Sequence, residues 1–401
     1  MPQTLRVIPP NPELHREAIY DLTAKCFNRH AYWDWQAFCR QGYFEHGFYD
    51  WNAARIGFLG ETLVTHVGVW DYQMCVGVGR LRVGGIGSVA THGEYRRRGL
   101  MSRTLRASLA AIRERGFDVS ILFGARNIYH LLGYVPAWPY ESYVVSAEDL
   151  PSERPAGPLR AFQPGSRPDV DDLHNREFAP YVGTAVRPTY RRNRWSKLWR
   201  GNIWTDARGR CAGHVVFWRD GQVLTCIDET GGAEQVLRVF GALCRALRCT
   251  QARFGNLPHD HPLARRLRRG NCRVETDYIR SGGPMIRTIN LRFTLEKLSR
   301  ELSRRLSASS MAGWSGRLEV ADPRERVLLD IGSGRVKVSS RPGRTRHTIR
   351  GGEEIAQLLI GTQPPDETIE AGEMKPAGDG RALVEAIFPH CHPTLARWDS
   401  F

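Results

Sequence analysis

Lysine and long apolar runs are both scarce in this sequence, and each absence narrows what the chain can be. Only five of the 57 basic residues are lysine, so arginine supplies nearly all of the formal net charge of +15. Arginine occurs in every third of the chain, which is typical of a coding preference, whereas a nucleic-acid footprint is a cluster on one face. The charge favours anionic ligands by steering but identifies none of them.

Membrane, secretory and disulfide signals are absent as well. No apolar run reaches the length of about 20 residues that a bilayer-spanning helix requires. The N-terminal residues lack a basic segment followed by an apolar one, so we expect no secretory signal. The nine cysteines are odd in number, scattered and never spaced C-x-x-C. We therefore expect reduced thiols and a cytoplasmic protein.

What the sequence does contain is the composition and length of a folded chain with more than one core. Of its 401 residues, 41% are hydrophobic and 25% are charged. Two or three domains are expected at this length.

The first part of the chain alternates helices and strands. Glu13–Phe27 carries apolar residues at four-residue spacing, which predicts an amphipathic helix. Short β-rich runs broken by glycine follow between Arg55 and Ala90. DVSILF predicts a buried strand, and NIYHLL predicts a short helix that ends at Gly133. Between these runs lies a helix whose apolar face is formed by Met101, Leu105, Leu109 and Ile112.

The rest of the chain divides into two further segments. Residues 148–168 are rich in Pro, Gly and Ser and predict a linker. Residues 169–283 repeat the order strand, helix, strand, with a hairpin at Asp220-Gly221. A helix with a leucine stripe, four short β-rich runs and the helix EEIAQLLIG follow. We expect an α/β (α+β) chain with domains at 1–147, 148–284 and 285–401.

The segment THGEYRRRGLMSRTL, residues 91–105, joins a predicted strand to a predicted helix. A loop that turns into a helix presents unpaired N–H groups and the positive end of the helix dipole. Gly99 allows close backbone approach, and Arg96–Arg98 add positive charge. The segment therefore predicts a pyrophosphate site built chiefly of main chain. It matches neither G-x-x-x-x-G-K-[ST] nor G-x-G-x-x-G, which argues against an ATPase loop and a dinucleotide fold. Taken alone, the three arginines favour a solvated face, and it is Gly99, the preceding strand and the motif around Tyr129 that together favour a coenzyme A site.

Two motifs resemble those of the GCN5-related N-acetyltransferases (GNAT). RRRGLM, residues 96–101, resembles the family's [Q/R]-x-x-G-x-[G/A] coenzyme A loop, with Met101 in place of the small residue and Gly93 where proline is common. NIYHLLGY resembles the family's Y-x-x-x-G-[F/Y] segment. The resemblance implies that Tyr129 protonates the departing coenzyme A thiolate.

The C-terminal sequence FPHCHPTLARWDSF resembles that of the enhanced intracellular survival (Eis) acetyltransferases. That resemblance implies tandem GNAT-like domains, the second degenerate, followed by a sterol-carrier-protein-like (SCP2-like) domain. It also implies that the carboxylate of Phe401 is the general base, and that the chain forms a homo-oligomer, such as a hexamer. The strands of the third segment carry many charges, so we expect it to deliver Phe401 to the site rather than to transport lipid.

The resemblance implies acetyl-CoA as cosubstrate and a primary amine as acceptor, with no metal and no covalent enzyme intermediate. The Val89 N–H would polarise the thioester carbonyl, and the pantetheine would run along Val89, Ala90 and Thr91. The remaining residues expected to bind the cosubstrate are Arg97, Arg98, Gly99, Leu100, Met101, Ser102, Gly124 and Ala125. Relatives acetylate aminoglycosides and lysine-like amines. Ser400 stands where an acidic residue would help hold a polycation, so aminoglycoside activity is doubtful.

The acceptor pocket has one candidate in HAYWDWQAF, where Trp33, Asp34 and Trp35 could line a site for a cation. The alternative is an ordinary helix with core and exposed faces.

The histidines of PHDHP (His259, His261) and PHCHP (His390, His392) match no standard zinc spacing, so we expect surface or interface histidines rather than a metal site. Two other functions stay open. One is a catalytically idle acyl-CoA or lipid-binding module, and the other is nucleic-acid binding with a steep salt dependence. We expect neither nucleic acid nor membrane as a partner.

Overall fold

The computed structural model describes residues 4–27, 31–44, 48–162, 168–189 and 198–401. Residues 163–167 of the predicted linker lie outside this set. The α-helices are α1 Pro12–Phe27, α2 Tyr32–Phe38, α3 Leu100–Glu114, α4 Pro168–Phe178, α5 Ala233–Leu247, α6 Pro262–Arg268, α7 Leu291–Ser307, α8 Ile355–Ile360, α9 Pro365–Ala371 and α10 Gly380–Ile387.

The strands are β1 Arg6–Ile8, β2 Arg55–Leu59, β3 Thr62–Val76, β4 Gly79–Thr91, β5 Val119–Gly124, β6 Val135–Pro136, β7 Tyr140–Ser146, β8 Arg160–Ala161, β9 Ala185–Val186, β10 Arg200–Thr205, β11 Cys211–Asp220, β12 Val223–Thr230, β13 Gln251–Gly255, β14 Arg273–Asp277, β15 Gly283–Thr288, β16 Gly316–Ala321, β17 Arg326–Gly332, β18 Arg335–Val338 and β19 His347–Arg350. Helices and strands are mixed throughout, so the predicted α/β class is confirmed.

The described residues form two compact units. The first contains Met1–Ala137, Arg280–Cys391 and Phe401, and the second contains Trp138–Ile279 and His392–Ser400. The division into three domains stays a prediction.

The first unit contains a sheet with the strand order β1-β2-β3-β4-β5-β15-β6. β3 and β4 are antiparallel, β4 and β5 are parallel, and α3 connects β4 to β5. Leu105 and Ile112 of α3 are fully buried against this sheet, in one core with Val67, Ile86 and other apolar side chains. The apolar face predicted for this helix is therefore the face that packs.

A second, four-stranded sheet in the first unit has the order β18-β17-β16-β19. α7 packs beside it, and the four leucines of its predicted stripe are fully buried: Leu295, Leu298, Leu302 and Leu306.

The sheet of the second unit has the order β14-β7-β13-β12-β11-β10-β8 and repeats the central connections of the first. β11 and β12 are antiparallel, β12 and β13 are parallel, and α5 connects β12 to β13. The predicted hairpin is confirmed, with Asp220 paired to Val223 and with Gly221 and Gln222 as the two loop residues.

One sequence expectation needs correction. The short β-rich runs between Arg55 and Ala90 are not several short strands after β2 but the two long strands β3 and β4. The polar residues that interrupt the apolar pattern, such as Asp71, lie within a strand and pair with arginine across it, as Asp71 does with Arg82. Cross-strand ion pairing thus extends a strand through residues that have low β propensity.

Candidate functional site

The parallel ladder between β4 and β5 ends before either strand does. Its last pair is Ile86 with Leu122, yet β4 continues to Thr91 and β5 to Gly124. Beyond Leu122, β5 pairs only on its other edge, where Gly124 faces Gly283 of β15. Among the described strands, none pairs with the inner edge of β4 beyond Ile86, so an extended ligand can add there as a strand along Val89, Ala90 and Thr91.

A β-bulge lies in β4 at this opening. Gly87 pairs with Gly68 and Ala90 pairs with His66, so Ser88 and Val89 together oppose one residue of β3. Ser88 has a φ of 46°, in the left-handed region that non-glycine residues rarely adopt. Bulges of this type change the direction of a backbone group, and here the affected residues include Val89.

Buried side chains hold the bulge. Nδ1 of His66 lies 2.7 Å from the carbonyl oxygen of Ser88, and Nε2 lies 2.7 Å from the hydroxyl of Tyr49. The Ser88 hydroxyl donates to the Tyr43 hydroxyl at 3.1 Å. Burial lowers the pKa of His66 to about 4, although the bond to Ser88 opposes this shift. The imidazole is therefore neutral at physiological pH.

The predicted phosphate loop ends at the first turn of α3. Gly99 is the residue before this helix and has a φ of 71°, and Arg97 has a φ of 61°. The N–H groups of Leu100, Met101 and Ser102 occupy the first turn, where no carbonyl of the helix can accept from them. A Cβ placed on Gly99 would meet no atom within 4 Å, so the glycine is needed for its backbone angle and the space beside it is open.

The three arginines of the loop are exposed. Arg96 donates to the carbonyl of Thr91 at 3.2 Å, and Arg98 donates to the carbonyl of Glu94 at 3.3 Å and lies over the ring of Tyr95. Met101 is half-buried and packs, like Val89, against the core beneath the sheet. Met101, which replaces the small residue of the motif, therefore directs its side chain into the fold and leaves the loop open.

Tyr129 lies beside the end of β5, the strand that borders the opening opposite β4. It begins a short 3₁₀-helix, Tyr129–Leu132, that ends at Gly133 with a φ of 78°. Its ring lies against Gly124, since a Cβ there would come within 2.4 Å of Cδ2 of Tyr129. Burial raises the pKa of Tyr129 to about 12, so the phenol is protonated at neutral pH. Ala125, the next residue after β5, is exposed.

Phe401 packs on the same pair of strands. Its ring lies 5.5 Å from that of Tyr72 and 5.3 Å from that of Phe123, measured between centroids. A Cβ on Gly85 would lie 2.7 Å from Cζ of Phe401. Gly85 and Phe123 flank the last rungs of the β4–β5 ladder, so Phe401 lies where the ladder opens.

Comparison with known proteins agrees with this geometry. Residues 11–137 match the family described as "Acetyltransferase (GNAT) domain". Residues 11–137 are called the GNAT domain from here on, after the family that they match. The match confirms the expected enzyme class, and it covers the bulge, the phosphate loop and Tyr129. None of the curated proteins compared matches the chain.

Solved structures resemble the whole chain in fold. A probable N-acyltransferase from Enterococcus faecalis V583 has a TM-score of 0.76 at 17% identity, and a GCN5-related N-acetyltransferase from Anabaena variabilis has 0.77 at 15%. Eis1 from Mycobacterium abscessus has 0.68 at 14%. Each comparison covers 99% of this chain and 100% of the other. At these identities the likeness concerns the fold.

The predicted acceptor residues of the GNAT domain lie on α2. Trp33 and Asp34 are exposed, with Trp33 at 77%. Trp35 is half-buried, stacks on Phe27 and lies 6.1 Å from Tyr43, which accepts the Ser88 hydroxyl. Trp35 thus belongs to an aromatic cluster that reaches the bulge, whereas Trp33 and Asp34 face solvent.

Of the four histidines considered as metal ligands in the sequence, two come together in the second unit. The rings of His259 and His392 stack 4.4 Å apart at 17°, and His261 is buried beside Glu177. Stacked rings direct their nitrogens outward along parallel planes, which does not suit one shared metal ion. Among the described residues, no group of three or more His, Cys, Asp or Glu is placed to hold a metal. Likewise, none of the described helices is long and apolar enough to span a membrane.

Sequence reasoning missed three features of the GNAT domain: the His66–Tyr49 pair, Gly85 and the Tyr72–Phe123 contact with Phe401. The sequence does contain a signal for the His66–Tyr49 pair, because a histidine in the apolar strand TLVTHVGVW must find a buried hydrogen-bond partner. It also contains a signal for Gly85, because adjacent glycines in a strand indicate that another group approaches the backbone closely. Which group approaches it depends on contacts distant in sequence.

Proposed function

We propose that this chain transfers acetyl from acetyl-CoA to a primary amine by direct attack, without a covalent enzyme intermediate. The observation that carries the proposal is the opening between β4 and β5, with the bulge on one side and Tyr129 on the other. The substrate supplies an activated acetyl thioester, and every other part of the reaction falls to side chains and backbone of the chain itself.

The loop and the first turn of α3 hold the pyrophosphate. The N–H groups of Leu100, Met101 and Ser102 and the helix dipole favour an anion there. Arg97 and Arg98 are exposed and add positive charge from the loop. Val89, Ala90 and Thr91 pair with the pantetheine amides, while Gly124 and Ala125 border it from β5.

The backbone N–H of Val89 polarises the acetyl carbonyl. An amine then attacks this carbon, the new C–N bond forms, and the C–S bond breaks with both electrons on sulfur. Tyr129 protonates the sulfur and recovers a proton from the nitrogen through solvent. A phenol with a pKa of about 12 gives up its proton to a thiolate of pKa ~8.5 at a cost of roughly 5 kcal/mol. Tyr129 therefore first stabilises the developing thiolate by donating a hydrogen bond, and proton transfer to the sulfur follows.

The carboxylate of Phe401 is the proposed general base. An amine is protonated at neutral pH and must lose a proton before it can attack. The packing of the Phe401 ring on Tyr72, Gly85 and Phe123 supports this proposal, because an anchored ring limits where its carboxylate can lie. In the proposed plan, tandem GNAT-like domains precede an SCP2-like domain that brings Phe401 to the site.

The proposed acceptor is a small or peptide-borne primary amine. Trp33 and Asp34 present an aromatic face and a negative charge on the exposed side of α2, which suits a cation before it enters the site. A polycationic aminoglycoside is less suited to the chain, because its formal net charge is +15.

The test is acetyl-CoA turnover over a panel of polyamines, aminoglycosides, lysine peptides and small amines. We expect thiol release with at least one amine, and a loss of about 100-fold in kcat for Tyr129→Phe. Fusing a short tag after Phe401 should abolish turnover while coenzyme A binding and thermal unfolding stay unchanged. Coenzyme A binding without transfer across the whole panel would instead favour an idle acyl-CoA-binding module.

A further inference from the structure

His66 occupies an unusual place for an ionisable residue. Its side chain is fully buried in the sheet of the GNAT domain, and both ring nitrogens lie 2.7 Å from a hydrogen-bond partner. Tyr49 is buried as well, at 3% exposure. A buried polar pair carries a desolvation cost that an apolar pair of the same size would avoid. The role of the His66–Tyr49 pair must therefore lie in the backbone group that it holds in place, the carbonyl of Ser88.

The hydrogen-bond partners of His66 determine which of its two ring nitrogens carries the proton. The carbonyl oxygen of Ser88 can only accept, so Nδ1 of the neutral imidazole carries the hydrogen. Nε2 is then the acceptor and receives the hydroxyl proton of Tyr49. Burial raises the pKa of Tyr49 well above its usual value, so this donor keeps its proton. The hydrogen bonds therefore run in one direction: the Tyr49 hydroxyl donates to Nε2 of His66, and Nδ1 of His66 donates to the carbonyl of Ser88.

The hydrogen bond from His66 to Ser88 determines the direction in which the backbone N–H of Val89 points. The carbonyl of Ser88 and the N–H of Val89 belong to one peptide group, which is planar and trans. In such a group the C=O and N–H bonds point in opposite directions. A carbonyl held toward the His66 ring therefore turns the Val89 N–H away from it. Because His66 is a residue of β3, this direction leads away from β3, and the opening lies along the other edge of β4.

The bulge needs such a restraint. The left-handed backbone angle of Ser88 is strained for a residue with a side chain and persists only where the surroundings over-determine it. His66 holds its carbonyl, and Tyr43 accepts its hydroxyl.

We propose that His66, oriented by Tyr49, is a positioning residue for the acetyl-transfer reaction. By holding the carbonyl of Ser88 it keeps the Val89 N–H aimed at the acetyl oxygen. This inference rests on the proposed function. A donor fixed in advance stabilises the charge that develops on that oxygen, so its loss lowers kcat more than it changes KM for acetyl-CoA.

The test compares two amides at position 66. The amide nitrogen of an asparagine side chain can take the place of Nδ1, whereas that of glutamine takes the place of Nε2. We expect His66→Gln to lower kcat by roughly 30- to 300-fold, with KM for acetyl-CoA within about threefold of wild type. His66→Asn should keep kcat within about fivefold of wild type. Tyr49→Phe leaves the Nδ1 donor in place, so its loss should be smaller, about three- to tenfold.

A second readout does not depend on turnover. The carbonyl ¹³C resonance and C=O stretch of bound [1-¹³C]acetyl-CoA report polarisation of the thioester directly. We expect wild type and His66→Asn to shift both signals from those of free acetyl-CoA, and His66→Gln to leave them near the free values. Thermal unfolding and coenzyme A affinity, measured on the same samples, identify any variant whose loss comes from misfolding.

The outcomes separate the inference from the proposed function. Equal kcat and equal carbonyl shifts in wild type and His66→Gln would overturn the inference and leave acetyl transfer intact. So would a His66→Asn variant as impaired as His66→Gln, or a defect confined to KM. If wild type binds acetyl-CoA without turning it over, the carbonyl shifts alone decide whether His66 positions the Val89 N–H. A wild-type protein that does not bind acetyl-CoA would overturn the proposed function, and the inference with it.

Discussion

Tyr129 and Gly124 are a matched pair: the phenol ring occupies the space that a Cβ at position 124 would require. That Cβ would lie 2.4 Å from Cδ2 and 2.6 Å from Cε2 of the ring. The two residues belong to the separate motifs that border the opening, so the end of β5 and the position of the proposed acid are sterically linked.

Gly124→Ala should displace the Tyr129 ring and lower kcat by at least about tenfold, because an acid must stay within hydrogen-bond reach of the leaving group. The matched control is Gly255→Ala at the end of β13, the strand of the second sheet with the same connections. A Cβ there has its nearest neighbour at 3.6 Å, an ordinary contact. Steady-state kinetics on both variants checks the prediction, and equal kcat in the two would contradict it.

Gly85→Ala should move Phe401. The added methyl group would lie 2.7–2.9 Å from three atoms of the Phe401 ring, so the ring and its carboxylate must shift. We expect kcat/KM for the amine to fall about tenfold while coenzyme A affinity stays constant. Gly84→Ala is the control, since the three atoms nearest to its Cβ all belong to the Ile112 side chain, the closest at 3.2 Å, and none belongs to Phe401. A loss of the same size in both variants would argue against an effect through Phe401.

Gly99→Ala tests the phosphate loop. Gly99 and Gly116 lie at opposite ends of α3 with φ of 71° and 73°, and neither has an atom within 4 Å of an added Cβ. Alanine should therefore cost each site about 1 kcal/mol of stability, from the backbone angle alone. Only Gly99→Ala should raise KM for acetyl-CoA, by roughly five- to tenfold. Urea unfolding and a KM measurement on the pair separate the two effects.

Acid should destabilise the first unit through His66. Its pKa is lowered in the folded state, so the unfolded chain binds more protons between pH 6.5 and about 4, and stability falls as the pH falls through this window. From a pKa of 6.5 unfolded and about 4 folded, the loss between pH 7 and pH 5 is about 2 kcal/mol. His66→Asn should lose about that much less over the same range. Urea unfolding at both pH values measures this, and parallel losses in the two proteins would refute it.

Asp399→Asn should destabilise the second unit. Asp399 and Asp228 are both buried, and both accept hydrogen bonds from the guanidinium of Arg187. Burial opposes the charge of Asp228, but Arg187 and His214 outweigh it and lower the pKa of that carboxyl. The amide would leave Arg187 with a single carboxylate, at a cost of roughly 2–4 kcal/mol in the free energy of unfolding. The surface pair of Asp206 with Arg210 provides the control: Asp206→Asn should leave the free energy of unfolding close to that of wild type.

The local signals in the sequence were sufficient for most elements and for the phosphate loop. The stripe of Leu295, Leu298, Leu302 and Leu306 is buried on α7, and Gly133 ends the short helix of Tyr129. These features depend on neighbours within a few residues. By contrast, the bond of His66 to Ser88 and the contact of Phe401 with Gly85 join residues far apart in the chain, and no period or cap signals them. The set of residues that bind the substrates remains a prediction, and two of its members, Trp33 and Asp34, are exposed.

The ion pair of Arg187 and Asp399 also affects the order in which the chain can fold. Its two residues are 212 positions apart. At 5–20 residues per second, a ribosome needs roughly 10 to 40 seconds to add Asp399 after Arg187. During that interval the strands around Asp228 can already assemble, but the guanidinium has only one of its two carboxylates. The nascent second unit therefore lacks part of its stability while residues 280–391 are being synthesised, and it gains this part when Asp399 arrives.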